Sequence, residues 1–422
     1  MPHLLRDLPH RCWMTLVLLV AGLNPSVFAQ SKETVLYSSQ GRGVSFSSPI
    51  VFPSAGSYPT GIAAGDFNND GIADLIVGDV ALTAASVSLG NGDGTFGGWD
   101  SGCGFDSVNV VGTARFDGRN LDALVNDIYD GLAQVCFGNG QGYFSGNGTF
   151  FVNPSTTVTA FAVDDFNRDA NEDIAMTADE QGLPVGELLM FPGDGKGSFG
   201  TPTVLNTTAN PVAAAAGDFN NDGAPDLVVL TDDVGDFGGD VAVFLGNGKG
   251  QFSHPKLFRI PKDHGKLGFS PLSTLVVGDF NGDHKLDVAV AISDWTSNAT
   301  SYVIILLGHG DGTFRRGQIA PAGPNPITMA VADFNGDGIP DLAVGNIFRD
   351  APGAVSVLIG KGDGAFYAPQ TFLVNGEFPY MTVADFNNDG KPDIATANAD
   401  SSSISILLNT TRWSEREAAK RP

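Results

Sequence analysis

The chain has 422 residues, of which only 17% are charged, yet its formal net charge is -24 at pH 7. This excess of carboxylates would repel nucleic-acid phosphates, so nucleic acid is excluded as an expected partner. Glycine is abundant at 55 residues, and phenylalanine, at 29, dominates the aromatic residues. Such a composition is typical of many short strands joined by tight turns, and it argues against a disordered chain.

The N-terminus has the pattern of a cleavable signal peptide. A basic start precedes an apolar run from Trp13 to Ala21, and a small-residue cleavage pattern ends at Ala29. The apolar run is shorter than the roughly 20 residues that a helix needs to span a bilayer. We therefore expect export with removal of residues 1–29, a lead-in over residues 30–42, and no transmembrane segment in the mature chain.

An acidic motif, Asp-Phe-Asn-x-Asp-Gly-x-x-Asp, recurs along the rest of the chain. Six copies keep all of the acids and begin at residues 66, 165, 218, 279, 333 and 385, and a degenerate copy begins at Arg115. Successive copies begin 49 to 61 residues apart. Seven structural units of about fifty residues are therefore predicted.

Each unit has the pattern of four β-strands. In the first unit, an apolar strand enters the acidic loop, a second leaves it, and a third ends in a glycine-rich hairpin and a phenylalanine at Gly90–Phe96. One such sheet cannot bury both faces alone, whereas seven packed radially can, with phenylalanine, valine and leucine between them. The predicted fold is an all-β seven-bladed β-propeller over residues 43–410, followed by a polar tail at 411–422.

The two ends of this region complement each other. The seventh unit stops after a strand at 403–409, whereas residues 43–46 resemble the glycine-phenylalanine segment of the other units. Closing the ring removes the exposed edges that an open stack of sheets would leave. We therefore predict that the N-terminal segment forms the outer strand of the last blade.

The acidic loops have the ligand spacing of a calcium site. In Asp66–Asp74, side-chain oxygens stand at loop positions 1, 3, 5 and 9, a glycine at position 6 permits a sharp turn, and position 7 offers its carbonyl. The same odd positions ligate calcium in the first half of an EF-hand loop. An alternative, in which these side chains only cap backbone amides, leaves like charges that repel by roughly 1 to 4 kcal/mol per pair at about 4 Å. Oxygen-only ligands favour calcium over zinc or copper.

About six calcium ions are predicted, one for each complete loop. Their ligands are positions 1, 3, 5, 7 and 9, with position 7 acting through its backbone carbonyl. These residues are Asp66, Asn68, Asp70, Ile72, Asp74, Asp165, Asn167, Asp169, Asn171, Asp173, Asp218, Asn220, Asp222, Ala224, Asp226, Asp279, Asn281, Asp283, Lys285, Asp287, Asp333, Asn335, Asp337, Ile339, Asp341, Asp385, Asn387, Asp389, Lys391 and Asp393.

Three loops depart from the motif. In the second copy, Arg115 replaces the first aspartate and the loop is one residue shorter, so this loop is predicted to bind no metal. Either the Arg115 guanidinium lies near Asp117 and Asp122 in place of the ion, or the loop has simply decayed. Ala170 and His284 replace the turn glycine in the third and fifth loops.

These motifs resemble FG-GAP/VCBS repeats, the family that includes the propeller of integrin α subunits. The resemblance covers about residues 43–409. It implies a propeller with calcium on the loops joining the first two strands of each blade, in secreted or cell-surface proteins that bind proteins or glycans. The leading expectation is a secreted or surface-located, monomeric binding or adhesion module with a protein or glycan ligand.

One segment of this acidic chain is locally basic. It is the connection between the fourth and fifth units, Lys256–Lys266, which also contains an aromatic residue. Its candidate binding residues for an anionic glycan or protein are Arg259, Lys262, His264 and Lys266. An ordinary solvated insertion is the alternative.

An enzyme is the second functional class, and a polysaccharide lyase or hydrolase is its most plausible form on a propeller. Such an enzyme needs acid-base groups that converge near the axis. His254, His264 and His309 are scattered along the chain, and no nucleophile motif appears. No enzyme activity is therefore expected, and a purely structural cell-envelope component is the third class.

Two cysteines, Cys103 and Cys136, remain after removal of residues 1–29. In an oxidising compartment they can form a disulfide. Two buried thiols on adjacent strands fit the sequence equally well.

Overall fold

The computed structural model describes residues 43–413, except 81–83, 105–107, 128–131, 152–155, 181–185, 208, 234–237, 261–273, 293–299, 349–350 and 378. The predicted signal peptide, lead-in and most of the polar tail lie outside these described residues. Every regular element within them is a β-strand. The all-β class predicted from composition and repeats is confirmed.

The chain forms 28 strands arranged in seven four-stranded antiparallel sheets. In chain order they are β1 Ile50–Pro53, β2 Pro59–Gly65, β3 Asp74–Asp79, β4 Ser86–Gly90, β5 Phe96–Ser101, β6 Val108–Ala114, β7 Asp122–Asp127, β8 Leu132–Gly138, β9 Phe144–Phe151, β10 Thr156–Asp164, β11 Asp173–Glu180, β12 Glu187–Phe191, β13 Thr203–Asn206, β14 Asn210–Gly217, β15 Asp226–Asp233, β16 Gly238–Phe244, β17 Lys256–Ile260, β18 Thr274–Gly278, β19 Asp287–Ile292, β20 Thr300–Gly308, β21 Phe314–Pro324, β22 Pro326–Ala332, β23 Asp341–Asn346, β24 Ala354–Leu358, β25 Gln370–Leu373, β26 Pro379–Ala384, β27 Asp393–Asn398 and β28 Ser403–Leu407.

The seven sheets are the blades of a propeller. Blades 1 to 6 each take four consecutive strands, from β2–β5 in blade 1 to β22–β25 in blade 6. The first strands of neighbouring blades contact one another around the axis, and β26 of the last blade contacts β2 of the first. The predicted seven-bladed β-propeller is therefore confirmed.

Blade 7 closes the ring with a strand from the other end of the chain. Its order is β26-β27-β28-β1, and β1 pairs antiparallel with β28 from Ile50 opposite Ile406 to Pro53 opposite Ser403. The pairing continues toward the N-terminus, where Phe46 forms a bridge with Asn409. The predicted role of the N-terminal segment as the outer strand of the last blade is confirmed.

The core lies between the blades. Seven clusters of buried side chains are present, and each joins two neighbouring blades, including blades 7 and 1. The second strands are buried along their whole length in several blades, as in Asp74–Asp79 and Asp341–Asn346. Because both faces of a middle strand meet a neighbouring blade, the residues between the polar ends of these strands are apolar or glycine.

Ring closure should depend on Phe46, which precedes β1. Its ring packs against Phe334 and Phe372, with ring centroids 5.9 and 4.9 Å apart, respectively. We expect Phe46→Ala to lower the free energy of unfolding by about 3 kcal/mol, the usual loss for removing a packed phenylalanine, measured by urea denaturation. Val51→Ala is the matched control, because Val51 is 44% exposed in the same strand segment. Equal effects of the two substitutions would show that the closing segment is not anchored by Phe46.

A disulfide joins Cys103 and Cys136, whose Cα atoms are 6.0 Å apart. Cys103 follows β5 of blade 1, and Cys136 lies in β8 of blade 2, where it is fully buried. Of the two arrangements compatible with the sequence, the structure therefore has the disulfide, and it links two blades.

Loss of this disulfide should destabilise the ring. The two cysteines are 33 residues apart, and a closed loop of this length is expected to contribute about 4 kcal/mol by restricting the unfolded chain. We expect the double variant Cys103→Ser/Cys136→Ser to lose this much free energy of unfolding, which would appear as a lower midpoint in urea denaturation. Wild-type protein in reducing buffer should match the double variant, and an unchanged midpoint in both would contradict the prediction.

Candidate functional site: the ring of acidic loops

The acidic loops are brought together on one face of the propeller. Each loop joins the first and second strands of its blade, as Asp66–Ala73 does between β2 and β3. The glycine-rich hairpins join the third and fourth strands, as at 91–95 between β4 and β5. Because all blades have the same strand order, loops and hairpins lie on the same face of the ring.

Within a complete loop, the backbone wraps around the side chains at positions 1, 3 and 5. In the first loop, Asp70 N donates to Asp66 Oδ1 and to Asn68 Oδ1, both at 3.0 Å. Gly71 N donates to Asp66 Oδ2 at 2.9 Å, and Ile72 N donates to Asp70 Oδ1 at 2.8 Å. The loops that begin at 218, 279, 333 and 385 repeat these bonds. The structure thus places the predicted ligand positions around one turn of backbone.

The aspartate at position 9 has a second role that the sequence did not indicate. Asp74 is fully buried; its Oδ2 accepts a hydrogen bond from Phe67 N at 2.9 Å and its Oδ1 accepts one from Gly90 N at 2.8 Å. It therefore ties the acidic loop to the end of the third strand. In every blade an acid that is at most 1% exposed makes one amide contact to the acidic loop and one to the end of the third strand. The loop amide belongs to the phenylalanine at position 2 in five blades, but to the residue at position 3, Asp117 or Asn167, in blades 2 and 3. The seven acids are Asp74, Asp122, Asp173, Asp226, Asp287, Asp341 and Asp393.

Burial raises the pKa of these carboxyl groups, although the amide bonds oppose the change. The pKa reaches about 7 for Asp341 and about 6 for Asp122, Asp173, Asp226, Asp287 and Asp393. In the complete loops, the charges at positions 1 and 5 raise the pKa of the ninth acid further. The acids of a complete loop are therefore close enough to repel one another.

Ala170 and His284 adopt the turn conformation that glycine holds in the other complete loops. Their φ angles are 67° and 62°, whereas Gly71 has 82°. Their amides also donate to the first aspartate of the loop, at 2.8 Å in both cases. The turn at position 6 is therefore kept in both loops, although in the third loop the amide of Asn167, and not that of Phe166, contacts the ninth acid.

Restoring glycine at these two positions should stabilise the protein. A left-handed conformation is unfavourable for a non-glycine residue by about 1 kcal/mol, so Ala170→Gly and His284→Gly should each raise the free energy of unfolding by about that amount. Gly71→Ala is the reciprocal control, since no atom lies within 4 Å of its added Cβ and only the backbone preference changes. A destabilised Ala170→Gly variant would show that the alanine methyl contributes packing.

The second loop has a different local geometry. The Arg115 guanidinium donates through Nη1 to the carbonyl oxygen of Arg119 at 2.8 Å. Among the described contacts it forms no ion pair with Asp117 or Asp122, so the predicted carboxylate partners are wrong. The Asp122 carboxylate instead accepts hydrogen bonds from the backbone amides of Asp117 and Gly138. The arginine therefore stabilises the turn through the backbone carbonyl of Arg119.

The phenylalanine at loop position 2 connects each loop to the hairpin of the next blade. Phe67 O accepts a hydrogen bond from Gly142 N at 3.0 Å, and the Phe67 ring meets Phe144 edge to face at 5.9 Å. Equivalent ring pairs, with centroids 5.6 to 6.0 Å apart, occur between all neighbouring blades. They are Phe67–Phe144, Phe116–Phe199, Phe166–Phe252, Phe219–Phe314, Phe280–Phe366, Phe334–Phe46 and Phe386–Phe96.

At the closure, Asn409 stands where the other blades have the hairpin glycine. Its backbone amide donates to Asp393 Oδ1 at 2.6 Å, and its Nδ2 donates to Phe334 O at 2.9 Å. Hydrogen bonds between loops and hairpins therefore continue around the whole ring. Each loop is bonded to the following blade.

The donor set of the complete loops fits a hard divalent cation. Its atoms are carboxylate, amide and carbonyl oxygens, which calcium prefers. Each carboxylate oxygen has two acceptor sites, so one amide bond leaves capacity for a cation. Within the described ranges, no three Asp, Glu, His or Cys side chains are arranged to hold a metal. A cation would therefore also need the asparagine and carbonyl oxygens as ligands.

The predicted basic connection is not a loop throughout. Its first five residues form the outer strand of blade 4, where Phe258 packs against the core between blades 4 and 5. Arg259 lies in that strand opposite Asp240. Lys262, His264 and Lys266 lie outside the described residues. The signal for this strand was its place after the glycine-rich hairpin, where the other units also have their fourth strand.

Comparison with known proteins supports the repeat assignment. The FG-GAP-like repeat family matches residues 22–77, 165–229, 279–344 and 346–414, more than half of the chain. The chain is 31% identical over 151 residues to the human (Homo sapiens) T-cell immunomodulatory protein. That match spans 34% of this chain and 22% of the human protein.

Two solved propellers share the fold at low sequence identity. The structure of BBS1N in complex with ARL6DN, soaked with lead, superposes with a TM-score of 0.55 at 11% identity, over 86% of this chain and 96% of that one. The Dos1 propeller gives 0.53 at 11% identity, over 85% and 80% of the two chains. In the part of the chain described, no helix has the length and hydropathy to cross a bilayer. With its repeated acidic loops, glycine-phenylalanine hairpins and closed ring, the chain belongs to the FG-GAP-like repeat family.

Proposed function

We propose that this protein is an exported, calcium-loaded propeller that acts as a protein- or glycan-binding module. The observation that carries the calcium part is the repetition, in six loops, of acids at positions 1, 5 and 9 around one turn of backbone. Without a cation, these acids repel one another and the ninth is desolvated. A bound calcium ion supplies the compensating charge.

Two further observations support export and binding. Disulfides persist in oxidising compartments, and one joins Cys103 to Cys136. A related fold has been solved as BBS1N in complex with ARL6DN, which shows that such a propeller can bind a partner protein. The acidic loops would stiffen one face and the connections of the rigid ring would carry the recognition residues.

Calcium stoichiometry tests the central part of this proposal. Equilibrium dialysis of the mature protein should give about six ions, with dissociation constants of roughly 0.1 to 1 mM. Asp218→Ala should remove one ion, because it is the first acid of a complete loop. Asp117→Ala, in the degenerate second loop, should remove none. Fewer than two bound ions in the wild type would reject the proposal.

Export has its own test. N-terminal sequencing of protein recovered from the culture medium should begin near Gln30, and intact protein retained in the cells would count against a cleaved signal peptide.

A further inference from the structure

A polar pocket lies on the acidic-loop face between blades 2 and 3. Its volume is about 440 Å³, within the usual range for small-molecule sites. It is lined by the degenerate loop and by the ends of two neighbouring hairpins. Its lining side chains are Asp117, Arg119, Asn120, Phe137, Asn139 and Lys196.

The local charge of this pocket is reversed relative to the rest of the face. The complete loops have aspartate at positions 1 and 5, whereas the second loop has Arg115 and Arg119 there. The hairpin of blade 3 adds Lys196. Both Arg119 and Lys196 are exposed at the pocket, and Asp194 lies near Lys196. The charged side chains that line the pocket are two cations and one carboxylate, Asp117, so the lining has a net positive charge that attracts an anionic group.

Blade 2 also differs by an aromatic residue in the pocket wall. Phe137 immediately precedes the hairpin glycine, where blades 1, 4, 5 and 7 have Leu89, Leu245, Leu307 and Leu408. The ring is half-buried against Gly197 of the next blade. Among the lining residues, it is the only one that could offer an aromatic surface to an apolar sugar face.

The remaining lining groups have the chemistry of hydroxyl recognition. Asn120 Nδ2 donates to Gly138 O at 3.0 Å and its Oδ1 accepts from Asn69 Nδ2 at 3.2 Å, which fixes the amide in place. Asn139 Oδ1 accepts from the amides of Gln141 and Tyr143. Asp117 Oδ1 accepts from Arg119 N at 2.9 Å. Fixed amides and a carboxylate beside two cations suit a ligand that carries both hydroxyl groups and a negative charge.

From this combination we infer that the pocket binds an acidic saccharide, with Arg119 and Lys196 pairing with a uronate carboxylate and Phe137 lying against the sugar ring. The inference deepens the proposed binding function and rests on it, but it does not depend on calcium occupancy of the second loop. Because the cations are exposed, binding should weaken as the salt concentration rises.

Binding of a defined sugar tests the inference. Calorimetric titration of the full mature protein in 2 mM calcium should detect a hyaluronan tetrasaccharide, whose glucuronates carry the carboxylates. The carboxyl-reduced tetrasaccharide, with glucose in their place, should bind at least about tenfold more weakly, as expected for loss of a charge-assisted contact. Arg119→Ala and Lys196→Ala should each weaken binding of the acidic form by about tenfold. Phe137→Leu, which introduces the residue of the other blades, should weaken it by several-fold.

The chain offers a matched control for Lys196. Lys249 occupies the same hairpin position in blade 4, next to the complete third loop. Lys249→Ala should leave binding unchanged, and equal losses in Lys196→Ala and Lys249→Ala would mean nonspecific attraction and overturn the inference. Equal affinity for the carboxyl-reduced sugar would also overturn it, as would tighter binding of a hexaglutamate peptide, which would assign the pocket to acidic peptides.

The same measurements distinguish failure of the pocket assignment from failure of the proposed function. If the protein bound the acidic sugar but Arg119→Ala and Lys196→Ala had no effect, the pocket assignment would fail while the glycan-binding function would stand. If six calcium ions bound but neither tetrasaccharide did, the inference would fail and the calcium part would stand.

Discussion

Removing calcium is expected to lower the thermal midpoint of this protein by roughly 10 °C. A site whose dissociation constant is tenfold below the calcium concentration stabilises the folded state by about 1.4 kcal/mol. Six such sites contribute on the order of 8 kcal/mol, a large fraction of the stability of an ordinary domain. Differential scanning calorimetry in 5 mM calcium and in excess chelator measures the difference.

Single-loop variants make this result specific. The increase in thermal midpoint that calcium produces should be about one sixth smaller in Asp218→Asn, which removes the first acid of the fourth loop. It should be unchanged in Asp117→Asn, because the second loop is predicted to bind no metal. Magnesium at the same concentration should give a smaller increment, since it demands octahedral geometry and gives up its water reluctantly. An identical midpoint with and without chelator would contradict the calcium assignment.

Asp122→Ala is expected to lower the free energy of unfolding by about 4 kcal/mol without changing the calcium-dependent increment. The carboxylate accepts hydrogen bonds from Asp117 N at 3.1 Å and Gly138 N at 2.9 Å, and the residue is fully buried. Removing it leaves two buried amides without an acceptor, each at about 1 to 3 kcal/mol. Urea denaturation of Asp122→Ala measures the loss, with Asp100→Ala as a control, because Asp100 is exposed on β5 of blade 1.

The second loop is suited to this test because its ninth acid has no predicted metal role. In the complete loops, replacing the ninth acid would combine loss of the amide contacts with loss of a ligand. A loss near zero in Asp122→Ala would show that the amides find other acceptors and that the ninth acid is not a structural anchor.

The effect of Asp122→Ala should also depend on pH. Burial raises the pKa of Asp122 from 3.8 to about 6 in the folded state. The folded protein therefore binds more protons than the unfolded chain between these values, so the stabilisation from this group is complete below 3.8 and is lost as the pH rises through 6. The difference between wild type and Asp122→Ala should be about 1 kcal/mol larger at pH 5 than at pH 7.5. A difference that grows toward high pH would have the wrong sign.

The repeat spacing predicted the fold because a propeller is built from similar units. The recurrence of Asp-Phe-Asn-x-Asp-Gly every 49 to 61 residues specified seven blades, and the incomplete last unit specified closure by the N-terminal segment. Both follow from local patterns that are read in order along the chain. The strand at Lys256–Ile260 could not be separated from the basic connection by its pattern, because the adjacent Leu257 and Phe258 interrupt the period-two alternation that indicates a strand.

The role of the ninth acid required the folded molecule. Asp74 and Gly90 are 16 residues apart and lie on different strands, so their hydrogen bond is set by sheet register. The degenerate second copy carried a partial signal, because it keeps Asp122 after losing the first acid. Sequence spacing showed oxygen atoms suited to calcium, but not which of them also hold the backbone together.

Sequence alone therefore determined the acidic loops, their number and the residues within them, because a nine-residue motif is local. Tertiary structure alone decided which residues of neighbouring blades contact one another. Phe67 meets Phe144 of the next blade, Asn409 replaces a glycine at the closure, and Cys103 bonds to Cys136. These contacts join residues that are far apart in sequence, and their partners are set by the radial packing of blades rather than by any spacing along the chain.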